Sequence, residues 1–219
     1  IEKVYWLSDT DLVAPKPKQE NFGTADSAEE LDWLIEAAAP LLGGQELLFN
    51  ADRPIWDGDK IYYYFDETIL VLTWKEQKDN CVYTFSEVKI AHPSQFRRYL
   101  AGNEYDSDYS HSVSRMCNMT NAVLASSADF YRGRNHGIIV YQGEVKRANY
   151  AELVDTCFID DQGNMIFSPK GQLSTMEEAQ KFVDENNIRF SLAFGPVLVD
   201  DGVQCEPKRY TLGEIDEGY

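Results

Sequence analysis

The chain contains no apolar run of the roughly 18 residues needed to cross a bilayer as a helix. Basic residues are scarce: 20 Lys and Arg stand against 37 Asp and Glu, for a net charge of −17. That balance argues against nucleic acid and against anionic membrane surfaces as partners. Histidine occurs three times. The four cysteines, Cys81, Cys117, Cys157 and Cys205, are far apart and match no zinc spacing. They read either as bridges in an exported protein or as separate buried thiols, with Cys157 in the apolar run 153–159 as a core residue. No motif for a metal or cofactor is present, and none is expected. There is no internal repeat and no low-complexity run. The chain begins at Ile1, not Met, and no signal peptide is visible. The sequon Asn118-Met-Thr120 matters only in a glycosylating host.

What is present reads as α+β: a single domain with a central mixed, largely antiparallel sheet flanked by helices. Residues 1–59 form an N-terminal lead-in and helix packed on the domain, and 60–219 the domain proper. Ser27-Ala-Glu-Glu30 has the form of a capping box and opens a helix over 28–42, with Leu31, Leu34, Ile35 and Ala38 on one face. Gly43-Gly44 ends it. Lys60 to Phe65, Thr68 to Trp74 and Val82 to Ala91 form an antiparallel meander around Asp66-Glu67 and Lys78-Asp-Asn80. The Tyr62-Tyr63-Tyr64 run suits strand packing, with sugar stacking as the sharper alternative.

His92-Pro93-Ser94 caps a short helix through Leu100, and Ser112 to Thr120 is a helix feeding a strand at 122–125. Two hairpins follow, Gly137–Val140 with Glu144–Ala148 and Leu153–Ile159 with Met165–Ser168. The second turns on Asp160-Asp-Gln-Gly163, a plain turn that lacks the spacing of a calcium loop. A second capping box, Ser174-Thr-Met-Glu177, starts a helix through Asn186 that buries Met176, Ala179, Phe182 and Val183. Phe190–Phe194 and Val197–Val199 are strands.

The segment 125–147 departs from the acidity of the rest. Arg132, Arg134, Lys146 and Arg147 meet only Asp129 and Glu144. Arginine forks suit oxyanions, and a carboxylate beside them suits acid, base or nucleophile work on a sugar. The plainer alternative is a set of turn charges facing water.

Three motifs in order resemble the phosphodiester glycosidase domain family. It comprises bacterial exopolysaccharide-related proteins similar to the enzyme that uncovers mannose 6-phosphate. The resemblance spans roughly 61–202. It begins with Tyr83-Thr-Phe-Ser-Glu-Val-Lys-Ile-Ala, centres on Val123-Leu-Ala-Ser-Ser-Ala-Asp-Phe-Tyr and ends with Ser191-Leu-Ala-Phe-Gly-Pro-Val-Leu-Val-Asp-Asp-Gly. On that pattern Asp129 is the family aspartate, Phe130 and Tyr131 its aromatic pair, and Arg134 its loop arginine. Gly137 and Gly143 fall on the family's hairpin glycines.

The resemblance implies hydrolysis of a sugar-1-phosphodiester on a surface or extracellular glycan by an exported protein. Asp129 and Ser127 are then the candidate catalytic residues. Arg134, Phe130, Tyr131, His136, Gly195 and Pro196 are the candidate substrate-binding ones. Asp129 can stabilise a cationic sugar, attack it, or steer water, and the sequence does not choose. Two departures stand out. Ser127 and Ala128 replace the family's Asn-Gly, and the late Asp-Gly-Gly-x-Ser motif and Arg-rich strand are absent up to Tyr219. The other class of reading is a non-catalytic carbohydrate-binding or surface-scaffold protein with the same fold.

Overall fold

The computed structural model describes residues 12–50, 52, 55–56, 58–129, 131–132, 136–149, 154–168, 171–193 and 196–206. The fold is α+β. The described strands fall in two principal sheets and a small hairpin, not in one central sheet, and every described pairing is antiparallel. The physical reason is that each set of strands closes a separate apolar cluster with its own helix. Packing divides the described residues into two compact units, 13–95 with 117–125, and 12 with 96–116 and 126–206.

In the first unit four strands run in spatial order β1 (Phe22–Ala25), β2 (Ile61–Asp66), β3 (Ile69–Lys78), β4 (Cys81–Ile90). Alternation puts Leu70, Leu72 and Trp74 of β3 on one face with Ile61. Helix α1 (Asp32–Leu42) covers that face through Leu34 and Ala38, with Leu31 just before it. The meander is as the sequence reads. Its first turn is fixed by the Asp66 carboxylate, which accepts the amides of Thr68 and Ile69 at 2.8 and 3.1 Å. Its second turn places Asp79 and Asn80 at φ +52° and +61°, the paired left-handed conformation that suits strand twist. Tyr64 is buried and donates to Asp66 at 2.8 Å, while Tyr62 is exposed. Tyr62 and Tyr64, two residues apart, share one face of β2, and Tyr63 packs from the other face against the core cluster.

Several local expectations change. Phe22–Ala25, read as lead-in, is a short edge strand on β2, a pairing that no local pattern announces. The Ser27–Glu30 box does not form. The residue before the first helical turn is Ala28, which has no side-chain acceptor, and the Glu30 carboxylate takes the Asp26 amide instead. The helix expected through Leu100 is a single 3-10 turn, Pro93–Gln95. Arg98 and Leu100 are drawn into tertiary contacts described below. Residues 122–125 have no strand partner among the described residues. Helix α2 (Val113–Thr120) forms where expected, with the Ser112 hydroxyl accepting the Arg115 amide at 3.2 Å.

In the second unit the order is β6 (Glu144–Asn149), β5 (Gly137–Tyr141), β9 (Ile188–Ala193), β7 (Thr156–Asp160), β8 (Met165–Ser168). Two hairpins supply β5–β6 and β7–β8, and β9 enters between them. Gln142 and Gly143, at φ +54° and +77°, make the first turn. In the second, the Asp160 carboxylate accepts the amides of Gln162 and Asn164 at 2.9 and 2.7 Å. Helix α3 (Met176–Glu185) buries Ala179 and Val183 against Ile138, Val140, Val145 and Phe158. Phe182 is partly buried, and Met176, expected in the core, is exposed. The cap lies one residue later than read: Thr175 and Glu178 make the reciprocal box, so Met176 is the first helical residue and its side chain faces outward. Strands β10 (Val199–Asp200) and β11 (Val203–Gln204) pair around Asp201-Gly202.

The two capping motifs therefore differ in worth. Thr175→Ala should cost about 1 kcal/mol and Ser27→Ala less than about 0.5 kcal/mol. Urea midpoints at constant slope check both.

Candidate functional site

The chain between Ala125 and Gly137 carries the acid and bases that the sequence singles out. Asp129 is held from two directions. The fork of Arg98 reaches it, Nη2 to Oδ1 at 2.5 Å and Nη1 to Oδ2 at 3.3 Å. The amide of Ala193 in β9 donates to Oδ2 at 2.9 Å. Arg98 Nη1 also donates to the Ser191 carbonyl. The Asp129 side chain is 1% exposed and that of Arg98 3%. Ser191 is itself fully buried, and its hydroxyl donates to the Ile138 carbonyl at 2.7 Å and accepts the Val140 amide at 2.8 Å. One hydroxyl thus links β9 to β5 where the two strands share a single paired position, Tyr141 with Phe190.

Tyr131 stacks its ring 5.5 Å from the Arg98 guanidinium and 5.6 Å from Tyr105. Burial raises its phenol pKa, against the pull of Arg98. Nearby, Leu12, Leu100 and Tyr141 form a small apolar cluster. The Tyr141 hydroxyl donates to Asn103 Oδ1 at 2.6 Å, and burial pushes its pKa up to about 12. Arg147, on β6, is buried and donates to two carbonyls of the loop, Tyr131 at 2.7 Å and His136 at 2.8 Å.

The structure brings Asp129 and Tyr131 together around Arg98. Ser127 is exposed on the same stretch, where its carbonyl accepts the Ser126 hydroxyl at 3.2 Å. It does not share the burial of Asp129. His136 is half-buried and contributes its carbonyl to Arg147. Pro196 is half-buried, and the next residue, Val197, donates its amide to Asp155 at 3.3 Å. Phe130, Arg134 and Gly195 lie outside the described residues. Arg132 reaches Asp108 at 3.7 Å, and Lys146 pairs with Glu144 at 2.5 Å, both at the surface.

Arg98 is the residue that sequence reasoning missed. It lies 31 positions before Asp129, in a stretch read as a short helix. Its one local signal is the doublet Arg97-Arg98 set between Phe96 and Tyr99-Leu100, two cations in an otherwise apolar run. Arg147 was visible as part of the basic segment, but not as a support for carbonyls.

A carboxylate so buried, with an arginine fork and a peptide amide on it, is arranged to hold two chain segments together. It is not open to a substrate arriving from solvent. Among the described residues no three His, Cys, Asp or Glu side chains cluster to hold a metal ion. The four cysteines are unbridged, and burial raises the Cys157 thiol to about 11. No helix among the described residues is long and apolar enough to cross a membrane. No family model, no curated protein and no solved structure matches the chain.

Two outcomes follow from this geometry. Asp129→Asn leaves a buried guanidinium without its counter-charge and should cost about 3–5 kcal/mol of stability. The double variant Arg98→Met/Asp129→Leu should cost less than that single change, as a denaturation double-mutant cycle will read.

The Tyr141 phenol is raised above its ordinary value near 10 because the fold favours the neutral form. Its contribution is therefore complete below about pH 10 and lost as pH rises to about 12. Chemical denaturation across that window should show a stability decline that Tyr141→Phe reduces.

Proposed function

We propose that the protein is a glycosidase-type hydrolase acting on a sugar-1-phosphodiester bond of a surface or extracellular glycan, in an exported setting. The observation that carries this reading is the meeting of two of the three family-like motifs. Asp129 of the central motif accepts the Ala193 amide of the last one across 64 positions of chain, and Arg98 reaches both segments.

In this reading, water adds across the bond between the anomeric carbon and the phosphate oxygen. Hydroxide goes to the sugar, and the proton goes to solvent or to the departing phosphomonoester. That leaving group is already a stabilised anion, so the site must chiefly bind phosphate and favour an oxocarbenium-like transition state. Arg134 is the proposed phosphate fork. Phe130 and Tyr131 are the proposed sugar-binding pair, His136, Gly195 and Pro196 are further proposed binding residues, and Ser127, which is exposed, is the proposed polar group. Asp129 keeps a charged role at a distance, as the anion that fixes the loop.

The burial of Asp129 favours one other reading, a carbohydrate-binding or scaffold protein that keeps the arrangement without turnover. The test uses the methyl phosphodiester of N-acetylglucosamine 1-phosphate, with free sugar and methyl phosphate measured separately. The hydrolase reading expects equimolar release of both, and an Arg134→Lys variant that loses mainly in KM. Saturable binding with no release supports the second reading. Neither binding nor release overturns both.

A further inference from the structure

A β-sheet ends in strands whose outward peptide groups lack a strand partner, and three of the four edges of the two principal sheets are short or irregular. β1 and β8 have four residues each, and the ladder of β6 on β5 shifts register between Ile139 and Val140. Such edges offer little to a further strand. β4 is different. It runs ten residues, contains no proline, pairs with β3 in unbroken register, and has no described strand on its other side. Leu48 and Phe49 approach it through the Glu87 carboxylate, not through its backbone.

The direction of its free groups follows from the turn. Asp79 and Asn80 form a two-residue connection with both φ positive, so Lys78 and Cys81 close it as a hydrogen-bonded pair. Alternation then turns the backbone of Cys81, Tyr83, Phe85, Glu87 and Lys89 towards β3. The same ladder continues one step on, where the Ala91 amide donates to the Thr68 carbonyl at 2.8 Å. The N–H and C=O groups of Val82, Thr84, Ser86 and Val88 therefore point off the sheet, and all four residues are exposed.

The side chains suit a partner of the same kind. Val82, Tyr83, Phe85 and Val88 are exposed, as is Leu48. A groove of about 380 Å³ follows the later half of β4, with Leu48, Trp74, Phe85, Glu87 and Lys89 in its walls. The strand has one acid and one base, and they pair, Lys89 Nζ to Glu87 Oε1 at 3.4 Å. In a chain of net charge −17, this edge is a locally neutral place where two copies can meet.

Two-fold symmetry makes the strand its own complement. Antiparallel pairing centred on Ser86 sets 82–90 against itself and keeps each outward peptide group opposite another. Tyr83 then lies across from Lys89 of the partner subunit, and Phe85 across from Glu87 of the partner subunit. The aromatic first half of each strand thus meets the grooved second half of the other. A centre at Glu87 would oppose two like charges, which is unfavourable.

We propose that this edge is a dimer interface, in which two copies of the chain pair β4 with β4, antiparallel about Ser86, into one continuous sheet. The inference is independent of the glycan reading.

The test is sedimentation equilibrium of the full chain across about a hundredfold range of concentration, with amide hydrogen exchange in β4 measured at both ends of that range. The wild-type mass should rise to that of two chains. The outward amides of Val82, Thr84, Ser86 and Val88 should exchange about tenfold more slowly in the dimer. Thr84→Pro removes an outward N–H and spares the ladder to β3, and Ser86→Lys sets like charges across the two-fold axis. Each should weaken association about tenfold or more, because symmetry repeats the loss in both copies. Circular dichroism confirms folding, and if Thr84→Pro does not fold, Ser86→Lys decides alone. A wild type that is monomeric at every concentration overturns the proposal. A dimer that the folded variants leave intact also overturns it, since the contact then lies elsewhere. So do outward amides protected in a monomer, since another segment or a bound peptide then occupies the edge.

Discussion

The second unit of this protein depends on one buried ion pair. Arg98 and Asp129 meet with both side chains almost fully out of water. A pair of that kind contributes little net stability against well-packed apolar residues, but half of it is strongly unfavourable. Its worth is therefore directional. The carboxylate also accepts a β9 amide, and the guanidinium also reaches a β9 carbonyl. The pair thereby joins the loop before β5 to the strand that both hairpins share. β9 in turn is tied to β5 by the Ser191 hydroxyl. Remove either charge, and the loop and the central strand lose their common anchor.

The excess of acid has a second use beyond a solvated surface. Several carboxylates serve as backbone acceptors at places where the chain changes direction. Asp66 closes the turn between β2 and β3, and Asp160 the turn between β7 and β8. Glu87, on β4, is buried and accepts the amides of Leu48 and Phe49 at 2.9 Å each, holding the segment after α1 to the sheet. Asp129 does the same for Ala193. An ionised carboxylate is an acceptor-only group and makes strong bonds to peptide N–H. Asp66 and Asp160 fix local turns, whereas Glu87 and Asp129 tie together segments distant in the chain.

This arrangement bears on how a sugar phosphate would be handled. A site that stabilises a departing phosphate needs donors fixed in advance, because reorganisation during the reaction forfeits much of the electrostatic benefit. Loops present such donors poorly unless something rigid lies beneath them. Here two guanidinium forks hold Asp129 and the carbonyls of Tyr131 and His136, and a β9 amide also holds Asp129. The same rigidity would serve a binding protein that never turns its ligand over. Turnover, not shape, separates those two readings.

The sequence by itself determined what short-range chemistry controls. Asp79-Asn80 and Gln142-Gly143 tolerate left-handed backbone, so both hairpins were legible to within a residue or two. Gly43 ended α1, and alternation placed Leu70, Leu72 and Trp74 on a buried face. The box before α3 was legible but one residue out, since Ser174 and Thr175 both have the chemistry and only packing chose. The Asp129 segment stood out by charge. Tertiary structure alone decided the rest. It inserted β9 between two hairpins, paired β1 with β2, dissolved the expected helix at 93–100 and sent Arg98 to Asp129. Each of these joins residues distant in the chain, where no local propensity discriminates among the possible partners. The physical reason is that a buried charge or an open strand edge takes its meaning from what the folded chain brings opposite it.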